Sequence, residues 1–118
     1  MNIKQQVEDY YQLLSQGKVV EAGEKYFSQD VELVEMTMGG TTKGYQACIE
    51  KEKAFAGGIT EIRDFTFVDY VISGDKVFDI STMDITHSQM GDVKAKQVAV
   101  TTWKDGKIVK QEFYGHTA

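Results

Sequence analysis

Trp103-Lys104-Asp105-Gly106-Lys107-Ile108 joins two runs of alternating apolar and polar residues, 92–103 and 107–114, through an Asp-Gly pair. Asp-Gly between two alternating runs is the strongest short hairpin signal, because the tight turn it forms matches the twist of the flanking strands. Moving back along the chain, Gln89-Met90-Gly91 separates 92–103 from a run at 76–87, and Gly74-Asp75 separates that run from 59–72. The second half therefore reads as a four-strand antiparallel meander. Three of these runs exceed the usual strand of about 5–6 residues, and strands of that length twist and curl. The chain has no proline, so bending has to come from glycine or from bulges.

The first half reads as helix, helix, strand, helix. Ile3, Val7, Tyr10, Tyr11 and Leu14 recur at spacings of three and four and predict a first helix with an inward Tyr10, ending near Gly17. Val19, Val20, Ala22, Gly23, Tyr26 and Phe27 predict a short second helix that stops before Asp30. Residues 31–36, Val-Glu-Leu-Val-Glu-Met, predict a half-buried strand, and Gly39-Gly40 a turn after it. A third helix is predicted over 45–56, with Tyr45, Cys48, Ile49, Glu52 and Phe55 on its inner stripe and Gly57-Gly58 as its stop. Three helices beside a curled sheet make an α+β cone.

Composition narrows the function classes. At 118 residues the chain has the size of one domain, 1–118, with one hydrophobic core. Its net charge is −5 with Lys and Arg scattered, which argues against a nucleic-acid partner. Cys48 is the only cysteine, so neither an internal disulfide nor a cysteine cage for zinc can form. No His/Asp/Glu set has metal-ligand spacing and no Gly-rich phosphate loop is present, so neither a metal nor a cofactor is expected. The amphipathic amino-terminal stretch lacks the apolar centre of a signal peptide, and no apolar run is long enough to span a membrane. A cytoplasmic protein without a membrane partner is expected.

The element order, together with Trp-Lys-Asp-Gly-Lys-Ile before the last strand, resembles the NTF2-like superfamily, which includes SnoaL-like cyclases and ketosteroid isomerases. The resemblance covers nearly the whole chain. It implies an NTF2-like cone: three amino-terminal helices packed on a strongly curved, mostly antiparallel sheet. Ketosteroid isomerases carry a tyrosine seven residues before a turn glycine, matched here by Tyr10 before Gly17. Their base lies in the first strand, five residues after an aspartate and nine before a glycine, matched here by Glu35 between Asp30 and Gly44. In those enzymes the carboxylate abstracts a proton beside a carbonyl while the tyrosine and a protonated aspartate donate to the oxyanion. The place of that aspartate counts to Val98. The resemblance thus implies Glu35 as base and Tyr10 as oxyanion donor, with one donor missing.

Parity carried back from the Asp105-Gly106 turn puts Val98, Val100 and Thr102 on the inner face with Val109, Gln111 and Phe113, and Asp79, Ser81 and Met83 beside Val68 and Tyr70. Ligand contacts are expected from Tyr26, Glu52, Tyr70, Asp79, Ser81, Val98, Gln111 and Phe113, a few polar groups in an apolar cleft suited to a small apolar ligand. The opposite face, with Thr101, Trp103, Lys110, Glu112 and Tyr114, is expected to be convex and to carry a homodimer contact. Structural roles fit the same residues: Glu35 alternating outward, Tyr10 and Tyr26 as core phenols, Glu52 extending from the helix edge, Asp79 exposed by a different register. The function that follows is small-molecule binding, with isomerase or cyclase chemistry on an apolar carbonyl compound. The alternative is a non-catalytic dimerising module with a filled core.

Overall fold

Asn2 opens the first helix, α1 (Ile3–Ser15), through a reciprocal cap. Its side chain accepts from the Gln5 backbone N–H at 2.9 Å, and the Gln5 side chain accepts from the Asn2 backbone N–H at 3.1 Å. Gly17, at φ 80°, supplies the left-handed residue beyond its end. The computed structural model describes residues 2–36 and 39–117, the last two by their backbone alone; 1, 37, 38 and 118 lie outside the description. α2 (Val19–Tyr26) buries Val19, Ala22, Gly23 and Tyr26. Gly23 is a packing requirement there, because a Cβ would stand 2.9 Å from the Phe27 ring.

β1 (Phe27–Glu35) begins earlier than the local pattern predicts, because Phe27 pairs with Ile108 of the last strand. The alternation rule does not see that long-range pairing. β2 (Thr41–Lys43), which the pattern missed, is a three-residue edge strand held to β1 from Glu32↔Lys43 to Val34↔Thr41. α3 (Tyr45–Gly58) runs through the two glycines expected to stop it. The meander follows as β3 (Ile59–Ser73), β4 (Lys76–His87), β5 (Gly91–Lys104) and β6 (Lys107–Thr117). The sheet order is β2-β1-β6-β5-β4-β3, antiparallel at every junction except β1 with β6. Asp105 and Gly106 stand at φ 52° and 77°, as the hairpin reading requires. The architecture is an α+β NTF2-like fold.

Bulges bend the long strands and also reset their faces. Lys104 pairs with Lys107 and Trp103 with Ile108, but Thr102 pairs with Lys110, which leaves Val109 as an extra residue. Beyond that point Thr101 faces Gln111 and Ala99 faces Phe113. The inner residues of β5 are therefore Trp103, Thr101, Ala99, Gln97 and Ala95, and the expectation that Thr102, Val100 and Val98 face inward is corrected. Trp103 and Thr101 are buried, not convex. A second bulge leaves Val68 unpaired between Phe67↔Ser81 and Asp69↔Ile80, so Val68 is exposed and Phe67 takes the inner place. β4 keeps strict alternation, with Val77, Asp79, Ser81, Ile85 and His87 buried.

The closed end of the cone is an aromatic cluster in which the Trp103 ring packs edge-on to Tyr10 at 6.1 Å and to Tyr26 at 5.4 Å. At the far end of α3, buried His87 clasps helix to sheet. Its Nε2 lies 3.1 Å from the Phe55 carbonyl, and its Nδ1 accepts from the Gln89 N–H at 3.1 Å. That pairing makes Nε2 the protonated nitrogen. The imidazole fills the space where Gly58 would carry a Cβ. Gly58→Ala is therefore expected to destabilise the fold by about 1–3 kcal/mol, the usual cost of overpacking. Urea unfolding of the variant against wild type measures it.

Candidate functional site

Between the inner sheet face and helices α1 and α3 lies a cavity of about 210 Å³. Leu14, Leu33, Phe55, Phe65, Phe67, Met83 and Phe113 form its apolar walls. Four carboxyl or phenol groups reach the lining: Tyr10 from α1, Glu35 from β1, Glu52 from α3 and Asp79 from β4. Register explains the convergence, since Asp79, Ala99, Phe113 and Glu35 are successive cross-strand partners on one level of the sheet.

Tyr10 faces inward because α1 places Val7, Tyr10 and Tyr11 on one buried stripe. Gln111 Nε2 donates to the Tyr10 phenol oxygen at 3.0 Å and lies 3.4 Å from Thr101 Oγ1. Accepting from Gln111 leaves the phenol proton free for another acceptor. Burial, and next the Glu52 charge, push the Tyr10 phenol above its ordinary value, so it remains a donor at neutral pH.

Asp79 is only 4% exposed. Its Oδ2 accepts from the Tyr11 hydroxyl at 2.8 Å, while its Oδ1 is enclosed without a donor among the described residues. Burial raises its pKa to about 6, with the Tyr11 hydrogen bond opposing. Tyr11 is held in turn by stacking on Phe67 at 4.0 Å. Glu52 is pushed up to about 7, first by burial and then, in opposite senses, by Lys51 and Glu35. Glu35 is 3.2 Å from Lys51 Nζ, with 40% of its side chain exposed.

Of the residues singled out from sequence, Tyr10, Glu35, Glu52, Asp79, Ser81, Gln111 and Phe113 line one cavity. Three do not. Val98 is 41% exposed on the outer face, since β5 alternates without interruption from buried Trp103, and the bulge at Val109 takes Gln111 and Phe113 to the opposite face; its inner neighbours Gln97 and Ala99 are not acids. Tyr26 is buried against Tyr10 and Trp103, and its hydroxyl donates outward to Asp9 at 2.5 Å. Tyr70 points inward but packs edge-on to Tyr11 at 5.4 Å, outside the lining. Sequence reasoning missed Tyr11 and Lys51 as site residues. Tyr11 was legible only as part of the inner stripe of α1, and Lys51 reaches Glu35 across an α3–β1 contact that no local pattern encodes. Among the described residues no group of three His, Cys, Asp or Glu could hold a metal ion, and no helix is long and apolar enough to cross a membrane.

A curved sheet closed by three helices around a cavity is the design of the NTF2-like class, and comparison with known proteins narrows it. A family model described as a SnoaL-like domain matches residues 1–115. The chain belongs to the SnoaL-like domain family. Among curated proteins none matches. Among solved structures, a protein from Mesorhizobium loti provisionally assigned as a SnoaL-like polyketide cyclase is 27% identical, with a TM-score of 0.83 over 97% of this chain and 99% of that one. One from Shewanella denitrificans with a like assignment is 15% identical, with a TM-score of 0.80 over 96% and 89%. Bal32a, from a soil-derived mobile gene cassette, is 14% identical, with a TM-score of 0.78 over 96% and 88%. The last two establish likeness of fold alone.

The raised carboxyls set a pH dependence. A carboxyl whose pKa is higher folded than unfolded binds more protons in the folded state, so it stabilises most at low pH and that stability is lost as pH rises through its folded value. For Asp79 and Glu52 the window runs from about 4 to about 7. Asp9 and Asp64, lowered by hydrogen bonds, act with the opposite sign and at lower pH. Unfolding free energy is expected to decline between about pH 4 and 7. Asp79→Asn should flatten that decline by on the order of 2–3 kcal/mol, read from denaturant melts at several pH values.

Proposed function

We propose that the chain binds a compact, largely apolar carbonyl compound in this cavity and moves a proton on the carbon beside the carbonyl, as an isomerase or cyclase does. The observation that carries the reading is the meeting of a proton-bearing phenol, Tyr10, with ionisable carboxyls in one mostly apolar enclosure. Tyr10 donates to the oxygen on which negative charge develops, and Gln111 orients it. A carboxylate takes the proton; Glu35, the base implied by the family resemblance, lines the same cavity beside Lys51. At about 210 Å³ the cavity lies below the roughly 300–1,000 Å³ of drug-sized ligand sites, which favours a compound of one or two rings. The cyclase assignment of the Mesorhizobium relative is in keeping, since polyketides are rich in carbonyls.

The isomerisation of 3-cyclohexenone to 2-cyclohexenone, followed by the absorbance of the conjugated product, tests the reading. Tyr10→Phe is expected to lower the rate by roughly a hundredfold or more while the circular dichroism spectrum stays that of wild type. A rate that Tyr10→Phe leaves unchanged overturns it.

A second reading, a module whose outer sheet face joins two copies, draws on a different observation. Val71, Phe78, Ile80, Val98 and Tyr114 are exposed on that face, and cross-strand register makes them neighbours. Lys110 and Glu112 flank them on the same face, so a two-fold copy can pair opposite charges around an apolar centre. Ile80→Arg should convert a dimer to a monomer in light scattering; a monomeric wild type at micromolar concentration overturns the contact.

A further inference from the structure

We propose that Glu52, on α3, is the group that takes the proton from the substrate carbon and returns it, with Tyr10 holding the oxygen. The inference rests on the acid–base reading above and assigns its central residue. Three carboxyls line the cavity, and their surroundings separate them. The Glu35 carboxylate is occupied by the Lys51 ammonium at 3.2 Å. Asp79 has one oxygen bonded to Tyr11 and is only 4% exposed, which leaves little of its carboxyl open to a substrate. Glu52 has no hydrogen bond or ion pair among the described residues and lines the cavity.

Its freedom follows from helix geometry. Lys51 and Glu52 are consecutive, and consecutive helical residues point in different directions, so the neighbouring ammonium reaches β1 instead of Glu52. The charged and titratable groups around Glu52 are Lys51 and Cys48 on its own helix, Glu35 on β1 and Tyr10 on α1. After burial, the Glu52 charge is the strongest influence on the Tyr10 phenol. With its pKa near 7, Glu52 is present in both forms at neutral pH, which suits a group that must accept a proton and give it back.

The step balances within the substrate. A Glu52 carboxylate oxygen takes the proton as the C–H bond beside the carbonyl breaks. The released electron pair forms a C=C bond, and the carbonyl π pair moves to oxygen, where the Tyr10 O–H donates to it. Return of the proton to the same carbon gives exchange; return to a conjugated carbon gives the isomer. The walls of Phe55, Phe65, Phe67 and Phe113 suit a neutral, compact, largely apolar ketone.

The test is uptake of deuterium from D2O at the carbons beside the carbonyl of cyclohexanone and of 1-tetralone, followed by NMR. Wild type is expected to accelerate uptake over buffer, with a rate that rises with pH and levels above an inflection near 7. Glu52→Gln should lose roughly a hundredfold or more and the inflection with it, and Glu52→Asp should recover part of the rate. Acceleration and inflection that survive in Glu52→Gln overturn the assignment alone. Failure of wild type to accelerate uptake into either ketone overturns the acid–base reading itself. If Glu52→Gln does not fold, NMR titration of the Glu52 carboxyl carbon in wild type decides, because a titration midpoint displaced from the kinetic inflection overturns the assignment.

Discussion

One unpaired residue in the last hairpin, Val109, governs what the inside of this molecule is made of. By standing between the Trp103↔Ile108 and Thr102↔Lys110 pairs, it shifts the alternation of β6 so that Gln111 and Phe113 join Ile108, Trp103, Thr101 and Ala99 on the face towards the helices. Trp103 then closes the end of the cone against Tyr10 and Tyr26, and Thr101 comes within reach of Gln111. Gln111 in turn holds the Tyr10 phenol at 3.0 Å. The same shift sets Tyr114 opposite Val98 on the outer surface. Site and outer patch thus share one origin.

The carboxyls of the cavity run against the ordinary preference of a core. A carboxylate taken from water into apolar surroundings is costly unless hydrogen-bonded, and the response is a raised pKa. Asp79 has one donor, Tyr11, which only partly offsets its burial. Among the described residues Glu52 has none, and Glu35 recovers a partner by reaching Lys51. Three carboxyls on one cavity therefore sit in three electrostatic situations, and it is this spread, more than the fold, that separates their chemistry.

Much of the fold was legible from local rules. Helix stripes placed Tyr10 and Tyr11 inward, and Asp105-Gly106 marked a turn whose two positive φ values the backbone adopts. Parity carried across the hairpins put Asp79 and Ser81 inside, and both are buried. The early start of β1 and the existence of β2 were not legible, because both depend on pairing with residues distant in sequence. Parity failed at Val98 and Val68 for a related reason: alternation propagates an error from one bulge along the rest of a strand, and nothing in either residue type announces the extra position.

By itself, the sequence determined the kinds and order of the elements, the inward set of α1 and β4, and the presence of Tyr10, Glu35, Glu52 and Asp79 as chemically able groups. These follow from periodicity and turn chemistry, which act over a few residues. Tertiary structure alone decided which face of β5 lines the cavity, that Lys51 neutralises Glu35 and not its neighbour Glu52, and that Tyr11 rather than Tyr10 bonds Asp79. Those outcomes depend on angstrom-scale distances between residues far apart in the chain, where a bulge or one helical turn changes the partner.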